Sequence, residues 1–140
     1  MANILVVDDD YLVRRILREV LILKKHNVLE ASDGIEALKT INPNAVPDLI
    51  FMDHQMPRLS GIDCARQLKR LYPSLKIILI SGSLGIDDDG YLAANKYLFK
   101  DIILKPFRIK DVVSTVEYAL GNTAQERIKF FERSITARPR

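Results

Sequence analysis

The sequence predicts an α/β fold in which helices cover both faces of a doubly wound parallel sheet. Three observations predict it. Short, unbroken apolar runs recur along the chain, helical periodicity fills the gaps between them, and turn-forming residues mark the junctions. A run that is apolar throughout, with no polar alternation, reads as a strand covered on both faces, the condition of a parallel sheet.

The first such run is Ile4 to Val7. After Asp8, Asp9 and Asp10 comes a helix with Leu12, Ile16, Val20 and Leu23 at helical spacing, which leaves Arg14, Arg15, Arg18, Glu19 and Lys24 for solvent. Val28 and Leu29 form a weaker strand, suited to a sheet edge. A second helix is expected from about Ile35 to Ile41, between the Ser32, Asp33, Gly34 turn and the Asn42-Pro43 stop. Leu49 to Met52 is the next strand, and a helix from about Gly61 to Tyr72 follows it and stops before Pro73. The strand Ile77 to Ile80 leads to a helix within Gly90 to Lys100, whose start is poorly marked. Ile102 to Leu104 is the last strand, and a fifth helix from about Ile109 to Leu120 ends at Gly121. Five alternations of strand and helix are most simply satisfied by a single open sheet with crossover helices.

Length and composition agree with this plan and exclude others. At 140 residues there is room for one core and a short appendage, and 48% apolar with 28% charged residues is ordinary for a soluble globular chain. The net charge of +3 is spread along helical segments rather than gathered into one run, so nucleic-acid binding is not indicated. No apolar stretch approaches the ~20 residues of a membrane helix and no leader pattern opens the chain, so a cytoplasmic location is expected. Cys64 is the only cysteine; it shares a helical face with Leu68 and Leu71 and reads as a buried structural thiol.

In open α/β sheets, ligands bind beyond the carboxyl ends of the strands. Asp8, Asp9 and Asp10 follow the first strand, Asp53 the third, Ser81 the fourth and Lys105 the fifth. Each alone is a common strand-end or capping residue. Together they place carboxylates, a hydroxyl and an ammonium on one rim. Carboxylates gathered there repel one another, and a hard divalent cation with oxygen ligands, Mg²⁺ above all, removes that difficulty. A carboxylate is also a nucleophile that yields an acyl phosphate, and phosphoryl transfer chiefly requires that the equatorial oxygens be positioned and neutralised. The cation would hold one oxygen, Lys105 a second, and the Ser81 hydroxyl with nearby backbone N–H groups the third.

Three stretches make a resemblance specific: ILVVDDD at Ile4 to Asp10, DLIFMDHQMPRLSG at Asp48 to Gly61, and ILKPF at Ile103 to Phe107. In this order and at this spacing, over about Asn3 to Leu120, they resemble the receiver domains of two-component response regulators, the CheY-like superfamily. That resemblance implies a flavodoxin-like (βα)5 fold with strand order 2-1-3-4-5. It makes Asp53 the phosphoacceptor, and Asp8 and Asp9 the acidic pair that holds Mg²⁺ (or Mn²⁺) together with Asp53 and the Gln55 backbone carbonyl. Ser81 and Lys105 are the phosphoryl-binding and switch residues, Asp10 a helix cap, and the Lys105–Pro106 bond a cis peptide. It also implies a phosphohistidine donor on a sensor histidine kinase or phosphotransfer domain, and an output partner or output domain. Slow self-catalysed hydrolysis is implied in place of enzymatic turnover, as is a homodimer through the fourth and fifth helix face or the tail.

Ile102 departs from the family pattern. Many receivers carry Tyr or Phe three residues before the lysine, and an aliphatic side chain there removes the aromatic form of the switch. His54 follows the phosphoacceptor and reads as a partly exposed loop residue; neither it nor His26 is the phosphodonor. The GSLGIDDDG stretch after Ser81 reads as a solvated loop, since consecutive Asp87, Asp88 and Asp89 lack the alternating spacing of a Ca²⁺ loop. The chain divides into a receiver over 1–121 and a tail over 122–140. In the tail, Ala124, Ile128, Phe131 and Ile135 fall on one helical stripe with basic residues elsewhere, as expected of a linker, of a helix that packs on the receiver or on a dimer mate, or of a basic amphipathic partner-binding segment. Two competing functions are a phosphatase of the haloacid-dehalogenase type, with Asp8 and Asp10 as a DxD motif and Asp8 as nucleophile, and an inert pseudo-receiver that acts as a binding surface.

Overall fold

The structure is a computed structural model in which residues 1–82 and 90–121 are described. The expectations for the Asp87 to Asp89 loop and for the 122–140 tail therefore lie outside the described residues. Five strands, β1 (Asn3–Val7), β2 (Asn27–Ala31), β3 (Leu49–Asp53), β4 (Ile77–Ser81) and β5 (Asp101–Leu104), form one parallel sheet in the order β2-β1-β3-β4-β5. The helices are α1 (Tyr11–Leu23), α2 (Gly34–Thr40), α3 (Gly61–Leu71), α4 (Tyr91–Ala94) and α5 (Ile109–Leu120). The class is the doubly wound, flavodoxin-like one that the sequence predicts.

Strand pleating divides the core in two. Leu5, Val7, Ile50, Met52, Ile77 and Leu79 point toward α2, α3 and α4, where Ile62, Cys64, Ala65 and Leu68 meet them. Their neighbours Ile4, Val6, Leu49, Phe51, Ile78 and Ile80 point the other way, onto Leu17 and Leu21 of α1 and Val112 and Val116 of α5. All five residues of β3 and of β4 are buried, which explains why these strands read as continuous apolar runs. β2 lies at the edge, and its more exposed residues explain its weaker signal.

Three local expectations need correction. The buried stripe of α1 comprises Leu17, Val20 and Leu21 with Val13 packed beside them, whereas Leu12, Ile16 and Leu23 are exposed. This helix carries apolar residues around most of its circumference, so periodicity fits two faces. A long-range pairing selects one: Arg14, expected in solvent, bonds Glu30 through Nε at 3.1 Å and is only 14% exposed. On α3, Cys64 and Leu68 are buried as expected, but Leu71 at the helix end is 67% exposed. The helix expected within Gly90 to Lys100 is a single turn, α4, followed by a 3₁₀ turn at Lys96–Leu98.

The helix starts are built from side-chain caps. Asp10 accepts from the backbone N–H groups of Leu12 and Val13, Asp33 from Glu36, and Ser60 from Asp63. α4 has no such cap, and its preceding Gly90 has a φ of 83°. Side chains of α3 hold it instead: the Arg66 guanidinium donates to Asp63, to the Tyr91 hydroxyl and to the Asn95 side-chain oxygen, at 2.7, 2.9 and 2.6 Å. Among the described residues no helix is long and apolar enough to cross a membrane.

Candidate functional site

β1 and β3 are neighbours at the middle of the sheet, and the chain leaves them at Asp8 and Asp53. Their carboxylates consequently meet at the carboxyl edge, where strand order reverses. Asp8 is fully buried and Asp53 is 4% exposed, whereas Asp9 is exposed. One carboxylate oxygen from each of the three lies within 4.8 Å of those of the other two. Lys105 comes to the same place because its backbone N–H continues the β4–β5 pairing, donating to the Ser81 carbonyl at 2.8 Å. Its Nζ lies 3.1 Å from Asp53 Oδ1 and 3.5 Å from Asp8 Oδ2, and the peptide bond that follows, Lys105–Pro106, is cis. Asp10 turns its side chain to the start of α1, away from this group.

The electrostatics follow from the packing. Burial, reinforced by the neighbouring Asp8 charge, pushes the Asp53 carboxyl from 3.8 up to about 7. Burial also raises Asp8, against the Asp10 backbone N–H and Lys105, which favour its charged form. Burial alone would lower Lys105, but its bond to Asp53 and the two carboxylate charges hold it above the ordinary lysine value. Among the described residues one cation thus faces two buried acids, and the site has a deficit of positive charge.

That deficit fits a hard divalent cation. Asp8 Oδ1 accepts the Asp10 backbone N–H at 2.8 Å, but Asp8 Oδ2 is buried and, among the described residues, accepts no hydrogen bond, with the Lys105 ammonium 3.5 Å from it. A buried carboxylate oxygen in that state, beside two further carboxylates of which Asp9 is exposed, is a suitable donor for Mg²⁺. Gln55 is exposed in the turn that follows β3, next to this cluster in sequence.

Ser81 is fully buried at the end of β4, and Ile102 is half-buried against the core beneath α3. His54 corrects the expectation of a partly exposed loop residue: it is only 8% exposed. Its backbone N–H extends the β3–β4 pairing to the Ile80 carbonyl at 2.9 Å, and its carbonyl accepts the Gly61 N–H at 2.8 Å, so the chain folds over it. His26 lies at the opposite end of the sheet, where its Nδ1 accepts the Ala2 N–H.

Sequence reasoning missed three supports of the site. Arg14 donates to the Asp8 carbonyl at 2.7 Å while Glu30 on β2 holds its guanidinium. Arg58 pairs with Asp33, joining the turn after β3 to the start of α2. Gly61 begins α3 so close to Asp53 that a Cβ there would collide with the Asp53 carbonyl oxygen. Only Gly61 left a signal, a glycine where a helix opens; the two ion pairs join residues 16 and 25 positions apart, and no local pattern marks them.

These features define an open α/β fold with an acidic cluster at its carboxyl edge, and comparison with known proteins identifies its family. Residues 4–117 match the response regulator receiver domain, and the chain belongs to that family, a signalling domain of two-component systems. The chain is 33% identical over 125 residues to the response regulator MprA of Mycobacterium sp. (strain KMS), a match covering 89% of this chain and 53% of MprA. It thus spans about half the length of the curated relatives it matches. Among solved structures it is similar to the response regulator TrrA from Thermotoga maritima, determined in complex with Mg²⁺ and BeF. The TM-score is 0.75 and the identity 28%, covering 86% of this chain and 100% of TrrA. It is equally similar to the receiver domain of NtrX from Brucella abortus, with a TM-score of 0.75 and 32% identity over 86% of this chain and 99% of that one.

Proposed function

We propose that the protein accepts a phosphoryl group on Asp53 from a phosphohistidine of a sensor kinase or phosphotransfer domain. The observation that carries this reading is the meeting of Asp53, Asp8, Asp9 and Lys105 at one sheet edge, with a buried Asp8 oxygen lacking a hydrogen bond. Asp8, Asp9, Asp53 and the Gln55 carbonyl would hold the Mg²⁺ (or Mn²⁺) ion. When bound, the ion supplies charge neutralisation for the incoming phosphoryl oxygens.

In the transfer an Asp53 carboxylate oxygen attacks phosphorus. The new O–P bond forms as the N–P bond of the donor breaks, and the imidazole leaves with the electron pair. Lys105 exchanges part of its contact with Asp53 for a phosphoryl oxygen, and the Ser81 hydroxyl takes another. These are the changes by which a partner or output domain would distinguish the two states, with Ile102 in place of the usual aromatic ring. By this reading the protein works in the cytoplasm and is a signalling phosphoacceptor, not an enzyme of turnover. The dehalogenase-type alternative needs Asp10 free for acid–base work, and its side chain is committed to capping α1. A pseudo-receiver would lack site residues, and the sequence carries Asp8, Asp9, Asp53, Ser81 and Lys105.

The test is labelling by acetyl phosphate with Mg²⁺. Asp53→Asn should abolish label while circular dichroism stays unchanged, because the amide has no nucleophilic oxygen. Full labelling of that variant, or label at Asp8, would overturn the assignment.

A further inference from the structure

The end of the sheet opposite the phosphoacceptor site carries an open groove of about 860 Å³. It runs beneath the starts of β1, β3 and β4, from Leu71 and Tyr72 at the end of α3 to Met1 and Val46, and Leu120 forms part of its wall. Met1 and Leu71 are 91% and 67% exposed. Leu71 stands out because the other apolar residues of α3 are buried: Ile62, Cys64, Ala65 and Leu68 are each at most 1% exposed.

Leu120 is also the last residue of α5, so the chain after it begins in the groove wall. Gly121 ends the helix in an extended conformation, with φ −68° and ψ 133°. Residues 122–140 have apolar Ala124, Ile128, Phe131 and Ile135 at helical spacing and basic Arg127, Lys129 and Arg133 off that stripe. Asp48 and Lys76 both sit in the groove lining, so the match with the tail rests on its apolar stripe. A helix rises about 1.5 Å per residue, so the 12 residues from Ala124 to Ile135 would span roughly 17 Å from first to last, a length suited to crossing the base of several strands. Tethering at Leu120 makes such docking intramolecular and favours it over capture of a separate molecule.

We propose that the groove at the base of the sheet is the docking site of this chain's own 122–140 segment, with Ile128 and Phe131 covering Leu71. The tail is then an integral part of the domain, on the face remote from Asp53. The proposal does not depend on the phosphoacceptor reading.

The test uses thiol labelling of the full 140-residue chain with a maleimide, without Mg²⁺ or phosphodonor. Leu71→Cys is compared with Leu23→Cys, a residue 79% exposed on α1, far from the groove; Cys64, buried, serves as the unreactive internal control. The Leu71→Cys thiol should react at least about tenfold more slowly than the Leu23→Cys thiol, the protection expected when a docked segment must open first. Adding Ile128→Asp and Phe131→Asp should bring its rate up to that of Leu23→Cys. Equal rates in the two single variants would overturn the proposal, as would slow labelling unaffected by the tail substitutions. Protection that strengthens with protein concentration would also overturn it, in favour of a second copy. Should the doubly substituted tail impair folding, the comparison of the two single variants decides alone.

Discussion

Replacing Asp53 by asparagine should stabilise the metal-free protein at alkaline pH, and by an amount the structure predicts. Burial and the Asp8 charge raise the Asp53 carboxyl from 3.8 to about 7 in the folded state. A carboxyl whose folded value exceeds its unfolded one binds its proton more tightly when folded, so its contribution to stability is complete below pH 4 and is lost as pH climbs to 7. At about 1.4 kcal/mol per pH unit, the interval from 3.8 to about 7 corresponds to roughly 4 kcal/mol. The favourable pairing with Lys105 is already included in that value, since it acts against the rise. Urea unfolding in excess chelator, at pH 4.5 and pH 8, measures the difference between Asp53→Asn and the parent. The variant should gain little at pH 4.5 and up to about 4 kcal/mol at pH 8, or a Tm higher by roughly 10 °C for a domain of this size. Equal stabilities at pH 8, or an advantage that grows toward low pH, would refute the idea that a buried, charge-crowded Asp53 is the strained element.

The cation should act on the same strain: at pH 8, Mg²⁺ at about 100 times its Kd should stabilise the parent by about 2.7 kcal/mol, and Asp8→Asn should remove most of that gain in a thermal-shift titration. Lys105→Ala, assayed with Mg²⁺ present, should cut acetyl-phosphate labelling far more than it lowers Tm; a parallel loss of both would mark the lysine as merely structural. Gly61→Ala should cost several kcal/mol in urea unfolding, because backbone atoms of Asp53 and His54 occupy the space its Cβ needs; a neutral result would contradict that close approach. Arg66→Ala should cost about 1–2 kcal/mol through its lost bonds to Asp63, Tyr91 and Asn95 and should speed hydrogen exchange chiefly at residues 91–98; uniform acceleration across the sheet would argue against local anchoring.

The legible parts of this protein are those written in consecutive residues. Buried strands read as apolar runs, and the polar residue that follows or ends each run marks Asp8, Asp53, Ser81 and Lys105 as candidates. Caps such as Asp10 were legible because they act within three residues. Contacts that close across the fold left no such trace. The face of α1 is selected by Arg14 meeting Glu30, and His54 is buried because residues from Ile80 and Gly61 close around its backbone. The brevity of α4 was equally hidden, since Gly90 to Lys100 contains helix-compatible residues but no capping side chain at its start.

That brevity has a thermodynamic meaning of its own. One helical turn is smaller than a stable nucleus, so residues 91–94 do not hold their shape by cooperativity within the segment. Their conformation is underwritten by a guanidinium on a neighbouring helix, and its donors reach Tyr91 and Asn95 only while α3 stays in register. The shoulder of the molecule beside β4 and β5 is therefore a surface whose contour can be redrawn by single substitutions at Arg66, Tyr91 or Asn95. The acidic cluster of Asp8, Asp9 and Asp53 stands at the ends of β1 and β3 and would be spared.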